Sequence, residues 1–167
     1  MAYEYGSVMA SARPDGWADV LSSIDRHDVY SGDDGTYGIE THPHITILYG
    51  LHEEVHEDLV CRICQAVDGP IEVELKDLSI FENENYDVLK FDVESDVLRN
   101  LNKAFQGLPH TTDYPDYSPH LTVAYLKKGT ADKYFDLKSK VPDKTNLSRF
   151  EFTPAGAEGP EVKFPIK

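Results

Sequence analysis

Apolar positions along this chain follow two rhythms. In three segments they recur every three to four residues, the spacing of one helix face. Trp17, Val20, Leu21 and Ile24 sit at i, i+3, i+4 and i+7, and Pro14-Asp15 supplies a start. This predicts a helix over 15–25. Val55, Leu59, Val60, Ile63, Cys64 and Val67 predict a second, ended by Gly69-Pro70. Val97, Leu98, Leu101, Ala104, Phe105 and Leu108 predict a third over 96–106, with Ser95 as its N-cap. Elsewhere the period is two. Ile71-Glu72-Val73-Glu74-Leu75 alternates, so one face is buried and one wet. Residues 78–81 continue or follow it, Glu82-Asn83-Glu84-Asn85 reads as a turn, and 86–93 returns as a hairpin partner. Segments 4–11, 44–49, 120–126, 147–153 and 161–166 read as strands, and 130–138 as a short helix. Loops 28–43 and 109–119 are rich in Asp, Gly, Tyr, Thr and Pro, a composition typical of exposed, shaped loops that carry function.

Two of these strands are nearly the same sequence. Pro43-His44-Ile45-Thr46-Ile47-Leu48-Tyr49 matches Pro119-His120-Leu121-Thr122-Val123-Ala124-Tyr125, with four of seven residues identical and the rest apolar in both. Each follows a strand, a helix and a polar loop: 4–11, 15–25 and 44–49 in one half, 86–93, 96–106 and 120–126 in the other. This is a twofold repeat of strand–helix–loop–strand. Residues i and i+2 of a strand share a face. His44 therefore shares a face with Thr46, and His120 with Thr122. Ile45, Ile47 and Tyr49, like Leu121, Val123 and Tyr125, are expected on the opposite, buried face. Pseudo-twofold packing would bring the two His-Thr pairs together across one cleft.

Such a set suits phosphodiester cleavage without a metal. Imidazole titrates near pH 6.5, so one ring can take a proton while the other gives one. The base activates a hydroxyl or water, the acid protonates the leaving oxygen, and cation and hydroxyls offset charge growing on phosphorus. A single His-x-Thr says little, since a strand histidine is usually structural. Two copies at equivalent points of a repeat are far more specific. A metal site would draw on His42, His44 and either His110 or His120, but no compact carboxylate–histidine set accompanies them.

Charge restricts the partners. The 167 residues hold 30 acids and 16 bases, a net charge of −14. Residues 1–60 carry −10, 61–126 carry −7 and 127–167 carry +3. This argues against a duplex nucleic-acid binder and against docking on anionic membranes. No apolar window approaches the roughly 18 residues of a membrane span, and the first residues lack the features of a signal peptide. A cytoplasmic protein is expected. Cys61 and Cys64 form a C-x-x-C, but Cys64 lies on the helix stripe and no second pair completes a zinc site. Two half-buried helix cysteines are the expectation.

With its two His-x-Thr motifs at 44–46 and 120–122, the chain resembles the 2H phosphoesterase superfamily along its whole length. That family includes bacterial RNA 2′,3′-cyclic phosphodiesterases, often labelled 2′–5′ RNA ligases. It also includes tRNA-processing cyclic phosphodiesterase domains, 2′,5′-oligoadenylate phosphodiesterases and bacteriophage anti-CBASS nucleases that destroy cyclic oligonucleotide alarm signals. The resemblance implies an α+β, bilobal, pseudo-twofold fold: one domain over 1–167, two antiparallel sheets with outer helices, and a central cleft. It implies a metal-independent, cofactor-free phosphodiesterase with His44, Thr46, His120 and Thr122 lining that cleft.

Among family members, the acidic charge favours a small cyclic di- or trinucleotide over a long polyanion. Lys127 and Lys128, just after the second motif, would add positive potential or simply end a solvated strand. The paired Pro-His-x-Thr-x-x-Tyr windows and compact size look like the phage enzymes, which would act in the host cytoplasm by attack of a ribose 2′-OH on a 3′–5′ linkage. Phe81, Tyr86, Tyr114 and Tyr117 are candidate stacking partners for bases, with core packing or loop fixing as the alternative. Glu158, in a Gly-rich turn, is a candidate acceptor for a base N–H by family analogy. The competing readings are an RNA 2′,3′-cyclic phosphodiesterase and a catalytically idle nucleotide binder.

Overall fold

A computed structural model describes residues 4–32, 37–113, 116–156 and 161–166. Among these, seven strands pair antiparallel throughout. They are β1 (Gly6–Ala12), β2 (His44–Leu51), β3 (Glu72–Glu82), β4 (Asp87–Glu94), β5 (His120–Leu126), β6 (Lys144–Thr153) and β7 (Val162–Pro165). The helices are α1 (Trp17–Ser22), α2 (Glu57–Gln65) and α3 (Asp96–Gln106). Short 3-10 segments cover Arg26–Asp28 and Ala131–Lys140.

The strand order is β2-β1-β6-β3-β4-β5, with β7 beside β6. Residues 144–146 of β6 pair with β3, and residues 147–153 pair with β1. The two antiparallel sheets implied by the resemblance therefore meet on β6 and are the halves of one sheet. β3 runs through both predicted pieces. Leu75 lies opposite Val93 but Leu78 opposite Phe91, so one extra residue is accommodated as a bulge. That bulge lets both leucines face the core, which a plain alternation over an odd spacing forbids.

Local chemistry sets the helix ends. The Ser95 hydroxyl accepts from Leu98 N at 3.1 Å and caps α3. α1 starts behind Gly16, whose φ of 84° and close approach to the Lys140 carbonyl exclude a side chain. It stops earlier than the apolar stripe suggests, because the hydroxyls of Ser22 and Ser23 turn back onto the Asp19 carbonyl. One hydrophobic cluster runs through both halves, including Trp17, Ile45, Phe91, Leu98, Phe105, Leu121 and Phe150. α1 packs Trp17 on Phe91 of β4, and α3 holds β2 through Asn102 Nδ2 donating to the Ile47 carbonyl at 2.8 Å. No helix among the described residues is long and apolar enough to cross a membrane.

Candidate active site

The motif strands β2 and β5 are the two ends of the strand order, yet they lie in contact. Five successive antiparallel pairings set them running in opposite directions. Burial repeats along both: Pro43 and Pro119 are buried, His44 and His120 half-exposed, Ile45 and Leu121 buried, Thr46 and Thr122 half-exposed. The four motif side chains thus share the open face of the sheet, with the apolar core behind them. The backbone repeats too: Ala12 N donates to the Pro43 carbonyl and Val93 N to the Pro119 carbonyl, each at 3.0 Å.

The histidines are held alike. His44 Nδ1 lies 3.0 Å from the His42 carbonyl, and His120 Nδ1 lies 3.1 Å from the Ser118 carbonyl. A carbonyl only accepts, so each Nδ1 carries the proton and donates it. Each Nε2 is then the nitrogen available to take or give a proton. Burial holds His120 below the usual imidazole range; the Ser118 carbonyl and Asp92 oppose this, while Lys90 and His44 add to it. His44 bears on His120 across the contact between β2 and β5.

The strands next to the motifs differ. On β1, Ser11 lies opposite His44 and Met9 opposite Thr46. On β4, Asp92 lies opposite His120 and Lys90 opposite Thr122. Asp92 Oδ1 accepts from Lys90 Nζ at 2.7 Å and from Ser79 Oγ at 2.9 Å, and Lys90 Nζ also reaches Ser79 Oγ at 2.7 Å. In the first half the comparable charges stand one strand further back. Glu151 Oε1 accepts from Ser11 Oγ and Arg149 Nε, each at 2.8 Å. Burial opposes the charge on Glu151, but those two donors leave its carboxyl below the usual carboxylate range. Sequence reasoning missed Lys90, Asp92, Ser79, Glu151 and Arg149. Their only signal was polarity at alternate strand positions, which any wet strand face shows.

Each motif strand also carries a bulge three residues after its histidine. Met9 pairs with Thr46 but Val8 with Leu48, skipping Ile47; Lys90 pairs with Thr122 but Leu89 with Ala124, skipping Val123. The bulges turn Tyr49 and Tyr125 onto the histidine face, correcting the expectation that both point into the core. Tyr49 is 55% exposed and meets Tyr5 edge-on, which in turn stacks on His52. Tyr125 joins Tyr30, Tyr37 and Tyr86, with ring centroids 4.9–5.6 Å apart. Because β2 and β5 run oppositely, these clusters lie at opposite ends of the motif strands.

The loops before the motifs cross over. Segment 28–40 bonds to β5, through Tyr30 N to Tyr125 O, Glu40 N to Val123 O and Tyr125 N to Gly38 O. Segment 109–111 bonds to β2, through His52 N to Pro109 O and Thr111 N to Gly50 O. Gly50 has φ 120°, and a Cβ there would lie 2.0 Å from the Thr111 carbonyl oxygen.

The other candidates are placed as follows. Phe81 is 46% exposed on the Ser79–Lys90 face, and Tyr86 belongs to the four-tyrosine cluster. Tyr117 fixes its loop by donating to the Thr46 carbonyl at 2.9 Å. Lys128 binds the Asn83 carbonyl and buried Asp87. Glu158 and Tyr114 lie outside the described residues. His42 accepts or donates beside Thr41, and His110 Nδ1 meets the Leu108 carbonyl. Among the described residues, no three His, Cys, Asp or Glu side chains gather into a metal-holding set. Cys64 is buried on α2, and burial pushes its thiol up to about 12. A separate concavity is lined, among the described residues, by Leu21, Ile24, Arg26, Val29 and Ile39, with no histidine or carboxylate among them.

No curated protein matches the chain. Among solved structures, Kluyveromyces marxianus Usb1 with uridine monophosphate is similar at a TM-score of 0.60 and 13% identity, covering 98% of each chain. That likeness concerns the fold. The sequence pattern of the 2′-5′ RNA ligase superfamily matches residues 32–154, which include both histidine motifs. The chain belongs to the 2′-5′ RNA ligase superfamily, the 2H phosphoesterases, and is a phosphodiesterase.

Proposed function

We propose that this enzyme linearises small cyclic oligonucleotides by cutting a 3′–5′ linkage. His44 and His120 are the acid–base pair, and Thr46 and Thr122 hold the non-bridging phosphate oxygens. One Nε2 takes the proton of the ribose 2′-OH as that oxygen bonds to phosphorus. The bond from phosphorus to the 5′ oxygen breaks, and the other Nε2–H protonates the leaving oxygen. The product ends in a 2′,3′-cyclic phosphate and a 5′-hydroxyl, and solvent returns the proton between the rings.

The observation that carries this reading is the pair of tyrosine clusters at opposite ends of the motif strands. Two platforms suit a substrate with a base on each side of the scissile phosphate, and base–aromatic stacking contributes about 1–3 kcal/mol each. Phe81 is a further exposed ring, and Glu158 keeps its family-based role as a base reader. The net charge of −14 disfavours a long polyanion but tolerates two or three phosphates. In a bacteriophage, such an activity in the host cytoplasm would erase a cyclic oligonucleotide alarm and evade CBASS immunity.

A second reading, opening of RNA 2′,3′-cyclic phosphate ends, draws on the family match itself. Turnover of cyclic di- and trinucleotides beside RNA ending in 2′,3′-cyclic phosphate, followed by mass spectrometry, separates the two. The cyclic substrates should be preferred, and their 2′-deoxy forms should be inert. Preference for the RNA end would establish the second reading instead.

A further inference from the structure

The two half-sites repeat in backbone and motif but not in charge. His44 and Thr46 have neutral Ser11 and Met9 opposite them on β1. His120 and Thr122 have Asp92 and Lys90 opposite them on β4. A free carboxylate beside His120 would favour the imidazolium and make that ring a resting acid. Asp92 is not free, because a single oxygen, Oδ1, accepts from both Lys90 Nζ and Ser79 Oγ. The Lys90 side chain is only 16% exposed and that of Asp92 is 48% exposed, so solvent reaches this clamp from the carboxylate's side alone.

We propose that Lys90 is a positioning residue that gives the histidine pair its direction: by occupying Asp92, it keeps His120 free to accept a proton and leaves His44 to donate one. This rests on the acid–base reading above. The groups bearing on His120 are Lys90 and Asp92 from β4, His44 from β2 and the Ser118 carbonyl from its own loop. Burial, Lys90 and His44 outweigh Asp92 and the carbonyl. No cation stands opposite His44 or Thr46 on β1. The Arg149–Glu151 pair on β6 is one strand further away, and its charges are spent on each other and on Ser11. The direction of the reaction is thus set in the strands behind the motifs, while the motifs themselves are alike.

The test is an NMR titration of the histidine rings in the intact protein, with activity as a second readout. Lys90→Met copies the residue at the equivalent point of the first half. It should raise the His120 midpoint by about one pH unit and lower kcat/KM about tenfold on the acid limb. Lys90→Arg should keep the wild-type midpoint. Lys90→Met/Asp92→Asn, which removes both charges, should bring the midpoint back. Asp92→Asn alone should lower it, which serves if Lys90→Met does not fold. An unmoved midpoint in Lys90→Met, a rise that persists in the double variant, or a rise in Asp92→Asn would overturn the proposal. Failure of the wild type to turn over cyclic oligonucleotides would instead count against the substrate, since the titration needs none.

Discussion

One ring nitrogen of each motif histidine is committed to a carbonyl two residues back, and that fixes what the other can do. On the proposed acid–base reading Nε2 is the nitrogen that acts, so truncating either ring should remove a proton carrier without opening the core. His120→Ala should lower kcat by about 10²–10⁴ while the thermal midpoint stays near wild type, because the ring is half-exposed. Loss of folding with loss of rate would mean that the ring is structural. Asp28 has a different task. It is buried, bonds Lys133 and Tyr134, and those bonds hold its carboxyl below the usual range. A lowered folded-state value gives stability that is present above the unfolded carboxyl's pKa and lost as pH falls through the folded one. Asp28→Asn should therefore lower the unfolding midpoint at neutral pH, and the gap to wild type should close in acid. A gap that widens in acid would refute that origin.

At the scale of elements, the bulges and crossing loops separate this site from a plain pair of strands. Gly50→Ala would force the backbone off φ 120° and drive a Cβ into the Thr111 carbonyl. A cost of at least about 1–3 kcal/mol is expected, read by denaturant unfolding. Catalysis should fall as well, because the displaced loop carries Tyr117, which is bonded to the Thr46 carbonyl. Full stability in that variant would show that the loop has another way to pass. The sequence made the motif strands, the α3 stripe and its Ser95 cap legible, since period and capping chemistry are local. It did not make the bulges legible. Skipping Ile47 and Val123 leaves an unbroken apolar run, and only the register with β1 and β4 shows that Tyr49 and Tyr125 have changed face. The Lys90–Asp92–Ser79 clamp was hidden for a related reason: its members stand on two strands, and pairing across strands is invisible in a one-dimensional pattern.

Over the whole molecule the net charge is −14, and three cations around the motif strands are already paired. Arg149, Lys90 and Lys128 all bind carboxylates. Little free positive potential remains for a long backbone. KM for a cyclic dinucleotide should then change no more than about threefold, the effect of one phosphate contact, as salt rises from about 50 to 200 mM, and long RNA should not compete. A steep loss of affinity with salt would show that many phosphates are gripped at once. The joined sheet was not legible either, because the predicted strand 147–153 covers only the part of β6 that pairs with β1, and residues 144–146, which pair with β3, lie before it. The crossing loops have one more consequence, which concerns ancestry. A chain carrying a single half would leave the outer edge of its motif strand without the backbone donors and acceptors that the other half's loop now supplies. Only a second copy, giving its loop and receiving one in return, would close both edges. The repeat is thus built like a loop-exchanged homodimer within one polypeptide, and a single chain, unlike two identical copies, can carry Met9 in one half and Lys90 in the other.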